Sequence, residues 1–187
     1  MGRFTKISER AFKEFQLEAG LILNAFDPES TEEVSDSAIV CATTGGVQIA
    51  CKPTYTDYGS DIDNVPNNMF EMKEIDGWDC TLGFTALNVT PEIIKLALGS
   101  AAISGIKITP RMEKNKTDAK DVWWVGDRAD GGLVACRLMN ALSTDGLSLK
   151  STKNGKGQLS CTLTGHISMS AQDVVPMEFY VMEGAAE

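Results

Sequence analysis

The chain has 187 residues, 43% apolar and 23% charged, which suits one globular domain with a substantial core. Seventeen Lys and Arg against 26 Asp and Glu leave a formal charge of −9, which argues against a surface that grips nucleic-acid phosphates. No apolar run approaches the roughly 20 residues of a bilayer-spanning helix. The segment Met1-Gly2-Arg3-Phe4-Thr5-Lys6 has neither a secretory apolar region nor the residue that N-myristoylation requires, so a cytoplasmic chain is expected. Cys41, Cys51, Cys80, Cys136 and Cys161 form no Cys-x-x-Cys pair and are odd in number, so they are expected to be reduced thiols of the core.

In chain order, Ser8 is placed to cap a short helix, and Leu17, Ala19, Leu21 and Leu23 alternate as a strand does. Asp27, Glu29, Glu32, Glu33 and Asp36 then mark a solvated loop. Residues 38–42 and 47–58 flank Thr43-Thr44-Gly45-Gly46, which predicts a hairpin. Pro53 cannot donate to a ladder, so its strand belongs at an edge. Residues 59–68 form a long polar loop, either an insertion or an arm that orders against a neighbour. Residues 70–75 and 78–86, around Asp76-Gly77, predict a further hairpin with Trp78, Cys80, Leu82, Phe84 and Ala86 on one face.

Residues 90–98 predict a helix, with Thr90 as cap, Pro91 at its first position, Glu92 near its positive end and Gly99 as stop. Strand structure resumes over 103–110 and 121–126 around a polar loop at 113–120. The adjacent Trp123 and Trp124 must point to opposite faces of their strand. One of them faces a subunit partner, a second core layer or the helix. Residues 132–142 are apolar on both faces, as in a central strand.

Residues 146–169 read as one long hairpin turning at Asn154-Gly155. One phase carries Leu147, Leu149, Leu159, Cys161, Leu163, Ile167 and Met169. The other carries Ser148, Lys150, Thr152, Ser160, Thr162, Thr164 and His166, a small and hydroxyl-rich face for water. Residues 177–182 form a last strand. With no repeat or linker, residues 1–187 make a single domain.

The residues that chemistry needs are scarce. His166 is the only histidine and sits on the polar phase among serines and threonines, which suits a surface residue. Gly155-Lys156-Gly157 is a hairpin turn, not a phosphate loop, and the acid pairs Asp61/Asp63 and Asp127/Asp130 read as solvated loop residues. No catalytic, cofactor or metal site is expected, and no enzyme. An edge strand, an arm-like loop and surplus aromatics are features of assembly.

Five stretches carry a resemblance: Glu74-Ile75-Asp76-Gly77-Trp78, Val89-Thr90-Pro91-Glu92 through Leu98-Gly99, Trp123-Trp124-Val125-Gly126-Asp127, Asn140-Ala141-Leu142-Ser143-Thr144, and Gln172 through Val181. In this order, across residues 17–183, the chain resembles major tail proteins of phages and prophages of Gram-positive hosts. The resemblance implies a mainly β fold, an antiparallel β-sandwich or split barrel with one flanking helix. It further implies self-assembly into hexameric rings stacked into a tail tube, a virion part put together in the host cytoplasm. A tape measure protein and tail tip or terminator proteins would be partners. Double-stranded DNA would pass without specific binding, with no membrane insertion by this chain.

Carried onto these residues, 1–16 would be an amino-terminal arm and 53–69 an inter-subunit arm with Pro53, Tyr55, Tyr58, Asp61, Asp63 and Pro66 at the interface. The hairpin 146–169 would supply the inner wall, with Ser148, Lys150, Thr152, Ser160, Thr162 and Thr164 toward the bore. Trp78, Trp123 and Trp124 would serve the core or an interface. Tubes of this kind commonly present an acidic lumen, whereas this hairpin carries Lys150, Lys153 and Lys156. Either acids from elsewhere line the bore or these lysines face ring neighbours. Two other readings are the inner tube of a contractile tail or phage-derived bacteriocin, and a monomeric carbohydrate-binding sandwich using Trp123/Trp124 or Tyr55/Tyr58.

Overall fold

The computed structural model describes residues 4, 7–30 and 32–184; the rest of the expected amino-terminal arm lies outside the described residues. The chain runs through α1 (Glu9–Lys13), β1 (Gln16–Leu23), β2 (Ile39–Cys41), β3 (Thr43–Asp57), β4 (Lys73–Ala86) and α2 (Pro91–Leu98). It continues through β5 (Ala101–Ser104), β6 (Lys107–Pro110), β7 (Lys120–Arg128), β8 (Leu133–Ser143), β9 (Ser148–Lys150), β10 (Gln158–Thr164) and β11 (Met177–Met182). The fold is mainly β, and every ladder is antiparallel.

The large sheet has the order β2-β1-β7-β8-β10-β4-β3, with β11 on β8 and β9 on β10, while β5 and β6 form a separate hairpin. β8 joins two layers. Its first half pairs with β7 and β11, and its end passes to β10 through Leu163↔Ser143. The sheet folds over there, and its facing surfaces bury Ile22, Trp124, Cys136, Leu138 and Met177 against Leu82, Phe84, Leu159, Cys161 and Leu163. β3 comes back alongside β1 with no ladder between them, so the sandwich closes as a split barrel. This is the expected architecture.

The helix forms where the caps place it. The Thr90 hydroxyl accepts the Ile93 N–H at 3.3 Å, Pro91 opens the first turn, and Gly99 ends it at φ +74°. Two turns are marginal in water alone, so α2 depends on burying Ile93 and Ala97 against the barrel. Among the described residues, no helix is long and apolar enough to cross a membrane.

The tryptophans part as adjacent strand residues must. The Trp124 indole N–H donates to the Ala19 carbonyl at 2.9 Å inside the main core. Trp123 lies on the other side of β7 in a second core layer with Leu23 and Ala135. Its ring stands 5.7 Å from Phe26, 5.5 Å from Tyr180 and 5.5 Å from the Arg137 guanidinium. A second core layer, not a partner subunit, covers it.

Pairing departs from expectation in three places. Thr43-Thr44-Gly45-Gly46 is not a hairpin turn, and neither is Asp76-Gly77. β3 and β4 pair with each other from Thr43↔Ala86 to Asp57↔Lys73, and residues 58–72 make the connection. Gly45 and Gly46, at φ +76° and +83°, lie in a bulge between Thr44↔Thr85 and Val47↔Phe84. A bulge and a turn draw on the same freedom of glycine to adopt positive φ, so local sequence does not separate them. Asp76 is the extra residue of a second bulge, between Thr54↔Gly77 and Tyr55↔Ile75.

The third departure is the hairpin 146–169, whose strands are shorter than the alternation suggests. β9 makes three rungs with β10, and the ladder ends at Thr164. Beyond it the Gly165 N–H donates to the Cys80 carbonyl and the His166 N–H to the Met139 carbonyl. β11 already occupies the edge of β8 along which β10 would continue. Ile167 and Met169, assigned by phase to the core, are therefore exposed. In β1, Glu18 and Gly20 at positive φ shift the phase, so Ile22 and Leu23 are buried while Leu17 and Leu21 are exposed.

Candidate functional site

The inward face of the β3–β4 hairpin does not stop at the core. Residues directly opposite in an antiparallel pair share a face, so Val47/Phe84, Ile49/Leu82 and Cys51/Cys80 point inward together. The next rungs on that face are Pro53/Trp78 and then Tyr55/Ile75, brought into phase by the bulge at Asp76. These lie past the barrel, with Tyr55 54% exposed, Ile75 49% and Trp78 36%. Among the described residues, the hairpin thus carries a part-exposed apolar strip off the core, along β3, which ends the hydrogen-bonded order of the sheet.

Beyond the strip the connection folds on itself. The Tyr58 N–H donates to the Met72 carbonyl, the Gly59 N–H to Asp57 Oδ1 at 3.0 Å, and Lys73 Nζ to Asn68 Oδ1 at 2.7 Å. Gly59 is buried against Val65 and Met72. The Thr56 hydroxyl donates to Asp76 Oδ2 at 2.7 Å and so fixes the bulged residue. Tyr58, Asp61, Asp63, Pro66 and Phe70 face solvent. Of the expected arm residues, Pro53 and Tyr55 belong to the strip and the others to this outer loop. Sequence reading missed Ile75 and Phe70.

The outward face of β10 belongs to a broader surface. Through the registers, Ser148, Ser160, Thr85 and Thr44 line up in one row across four strands. Thr162, Gly83 and Gln48 form the next, and Thr164, Thr81 and Ala50 a third. The Thr144 and Thr164 hydroxyls meet at 3.1 Å. These rows are small-sided and hydroxylated, bounded by Lys52 paired with Asp79 in the row beyond Ala50 and Thr81, and a shallow groove of about 390 Å³ runs over them. Of the expected wall residues, Ser148, Ser160, Thr162 and Thr164 lie on it. Lys150 pairs with Gln158 at its margin, and Thr152 lies in the turn beyond the last rung.

His166 is half-buried, its Nδ1 3.3 Å from the Asn140 carbonyl oxygen, while the Asn140 side-chain N–H₂ donates to the His166 carbonyl at 3.0 Å. It ties the end of the β10 segment to β8. Among the described residues, no group of three or more His, Cys, Asp or Glu side chains could hold a metal ion. Cys41, Cys80, Cys136 and Cys161 are buried, and burial pushes Cys41 up to about 11 and Cys136 and Cys161 to about 12.

A buried charge hub supports the helix side of the barrel. Asp118 accepts both of its Arg111 contacts at 2.5 and 2.6 Å, the Asn115 N–H at 2.7 Å and the Ser100 hydroxyl at 3.3 Å, with Lys95 Nζ at 4.0 Å. The Asn115 N–H, followed by the Arg111 charge, holds its carboxyl below the usual carboxylate value despite burial. In sequence this stretch reads only as a polar loop, because its partners come from Lys95 in α2, Ser100 two residues past α2, and Arg111 just after β6. The chain matches no protein-family model, no curated protein and no solved structure.

Proposed function

We propose that the chain is a structural subunit of a phage or prophage tail tube, assembling into stacked hexameric rings around a channel through which DNA passes. One observation carries the reading: the core-facing side of β3–β4 continues past the barrel as Pro53, Trp78, Tyr55 and Ile75, which stay part-exposed among the described residues. An apolar strip on a sheet-edge hairpin is covered well by another copy of the chain. The resemblance names what kind of assembly that is.

The hydroxyl face supports the same reading. Duplex DNA must slide along a tube wall, and rows of Ser, Thr, Gly and Gln offer its phosphates hydration, with cations only at their margins, where Lys52 pairs with Asp79 and Lys150 with Gln158. The formal charge of −9 repels the phosphates as well. In this account the rows from Ser148 to Thr44 and from Thr162 to Gln48 face the bore, with tape measure and tail tip proteins as further partners.

Removing residues 59–68 tests the arm. The hairpin keeps its rung at Asp57↔Lys73 and gains a five-residue connection, a length hairpins accept. The variant is expected to keep its far-ultraviolet circular dichroism and its unfolding midpoint within a few degrees, yet to elute as a monomer where the parent assembles. Assembly equal to that of the parent would remove the arm from the account.

A further inference from the structure

Where the arm leaves the core, two thiols meet. Cys51 and Cys80 are directly paired across β3 and β4, 29 positions apart in sequence, with their Sγ atoms 3.3 Å from one another. We propose that Cys51 and Cys80 form an oxidation-sensitive dithiol site that a small-molecule disulfide closes into a disulfide bond across the root of the arm.

The geometry suits closure. Paired residues of an antiparallel ladder have Cα atoms roughly 4.5 or 5.5 Å apart, inside the range of about 4.4–6.8 Å that disulfides span. The sulfurs already touch, so bond formation needs rotation of two side chains and no movement of the strands. Access sets the order of events. Cys51 is half-buried while the other four cysteines are buried, so a reagent meets Cys51 first. Burial raises the Cys80 thiol well above its ordinary value, which keeps it from starting the reaction. At contact distance it serves as the resolving thiol.

The step balances with glutathione disulfide as the oxidant. Cys51 gives its proton to solvent and its thiolate attacks one sulfur of the reagent, breaking the S–S bond and releasing one glutathione thiolate, which takes a proton back from solvent. Cys80 then gives its proton to solvent and attacks Cys51 Sγ, expelling the second glutathione thiolate. Two protein thiols are oxidised, one glutathione disulfide is reduced, and two glutathione molecules leave. The bond would close a loop holding the whole projecting part of the hairpin, fixing the register of its root and narrowing the unfolded ensemble. This inference does not depend on what the arm binds.

The test incubates the native protein with glutathione disulfide and reads intact mass and peptide maps. The expected product has lost two hydrogens, carries a Cys51–Cys80 crosslink, unfolds several degrees higher, and returns to the parent mass with dithiothreitol. Cys80→Ser should instead trap one glutathione on Cys51, and Cys136→Ser should behave as the parent does. A glutathione adduct that persists on the parent protein, a crosslink from Cys51 to Cys136, or no reaction would each overturn the proposal. If Cys80→Ser does not fold, the parent's peptide map decides alone.

Discussion

Replacing Leu163 with proline leaves the chain unfolded under conditions in which the parent protein is folded. Leu163 sits in β10 between Leu82 of β4 and Ser143 of β8 and is fully buried. With neighbours on both edges, its N–H has a ladder partner whichever way it points, and proline removes that donor in the middle of a sheet. The substitution also takes the leucine side chain from the facing surfaces of the two layers. β10 is the strand that carries the pairing from β8 to β4, so the damage falls on the junction of the sandwich. Leu163→Ala keeps the donor and loses only packing, for which about 2–5 kcal/mol is expected. The two are separated by urea unfolding followed by circular dichroism: a shifted cooperative transition for alanine, none for proline. A folded proline variant would mean that β10 is not a central strand.

Removing the Asp118 carboxylate is the second large effect. Asp118→Ala leaves the Asn115 N–H and a part-exposed Arg111 without their buried acceptor, and since breaking a fully buried pair costs about 3–5 kcal/mol, a loss toward the lower end of that range is expected. The loop from Met112 to Ala119 is tied down by the same group, so its amides should lose hydrogen-exchange protection first. The pH dependence has a definite sign. A carboxyl whose folded-state value lies below its ordinary 3.8 adds stability that is present above that value and lost as pH falls through the folded one. The parent protein should therefore lose stability steeply below about pH 4, and Asp118→Asn should show a shallower fall in the same acid range. Parallel acid profiles for the two would contradict the role given to this carboxylate.

What local sequence decides was readable, and what pairing decides was not. Helix α2 was legible because Thr90, Pro91 and Gly99 act within one or two turns of themselves. The phase of β4 and β10 was legible because alternation needs no partner. The opposed tryptophans followed from geometry alone, although what covers Trp123 is a matter of tertiary structure. Which strand pairs with which depends on contacts tens of residues apart. Gly45-Gly46 and Asp76-Gly77 therefore looked like turns, and the long β3–β4 hairpin was hidden between them. The hydroxyl rows share the limitation. Ser160 and Thr162 declare themselves, but Thr44, Gln48, Thr81 and Thr85 join them only through the register. The Asp118 hub is assembled from three separate elements and has no local signature.

The most direct test of the tail-tube reading is negative-stain electron microscopy of the purified protein over a range of concentrations, with sizing chromatography alongside. The account predicts six-fold rings or hollow tubes with a central bore, growing with concentration. A monodisperse monomer at every concentration, with no rings on the grid, would contradict it.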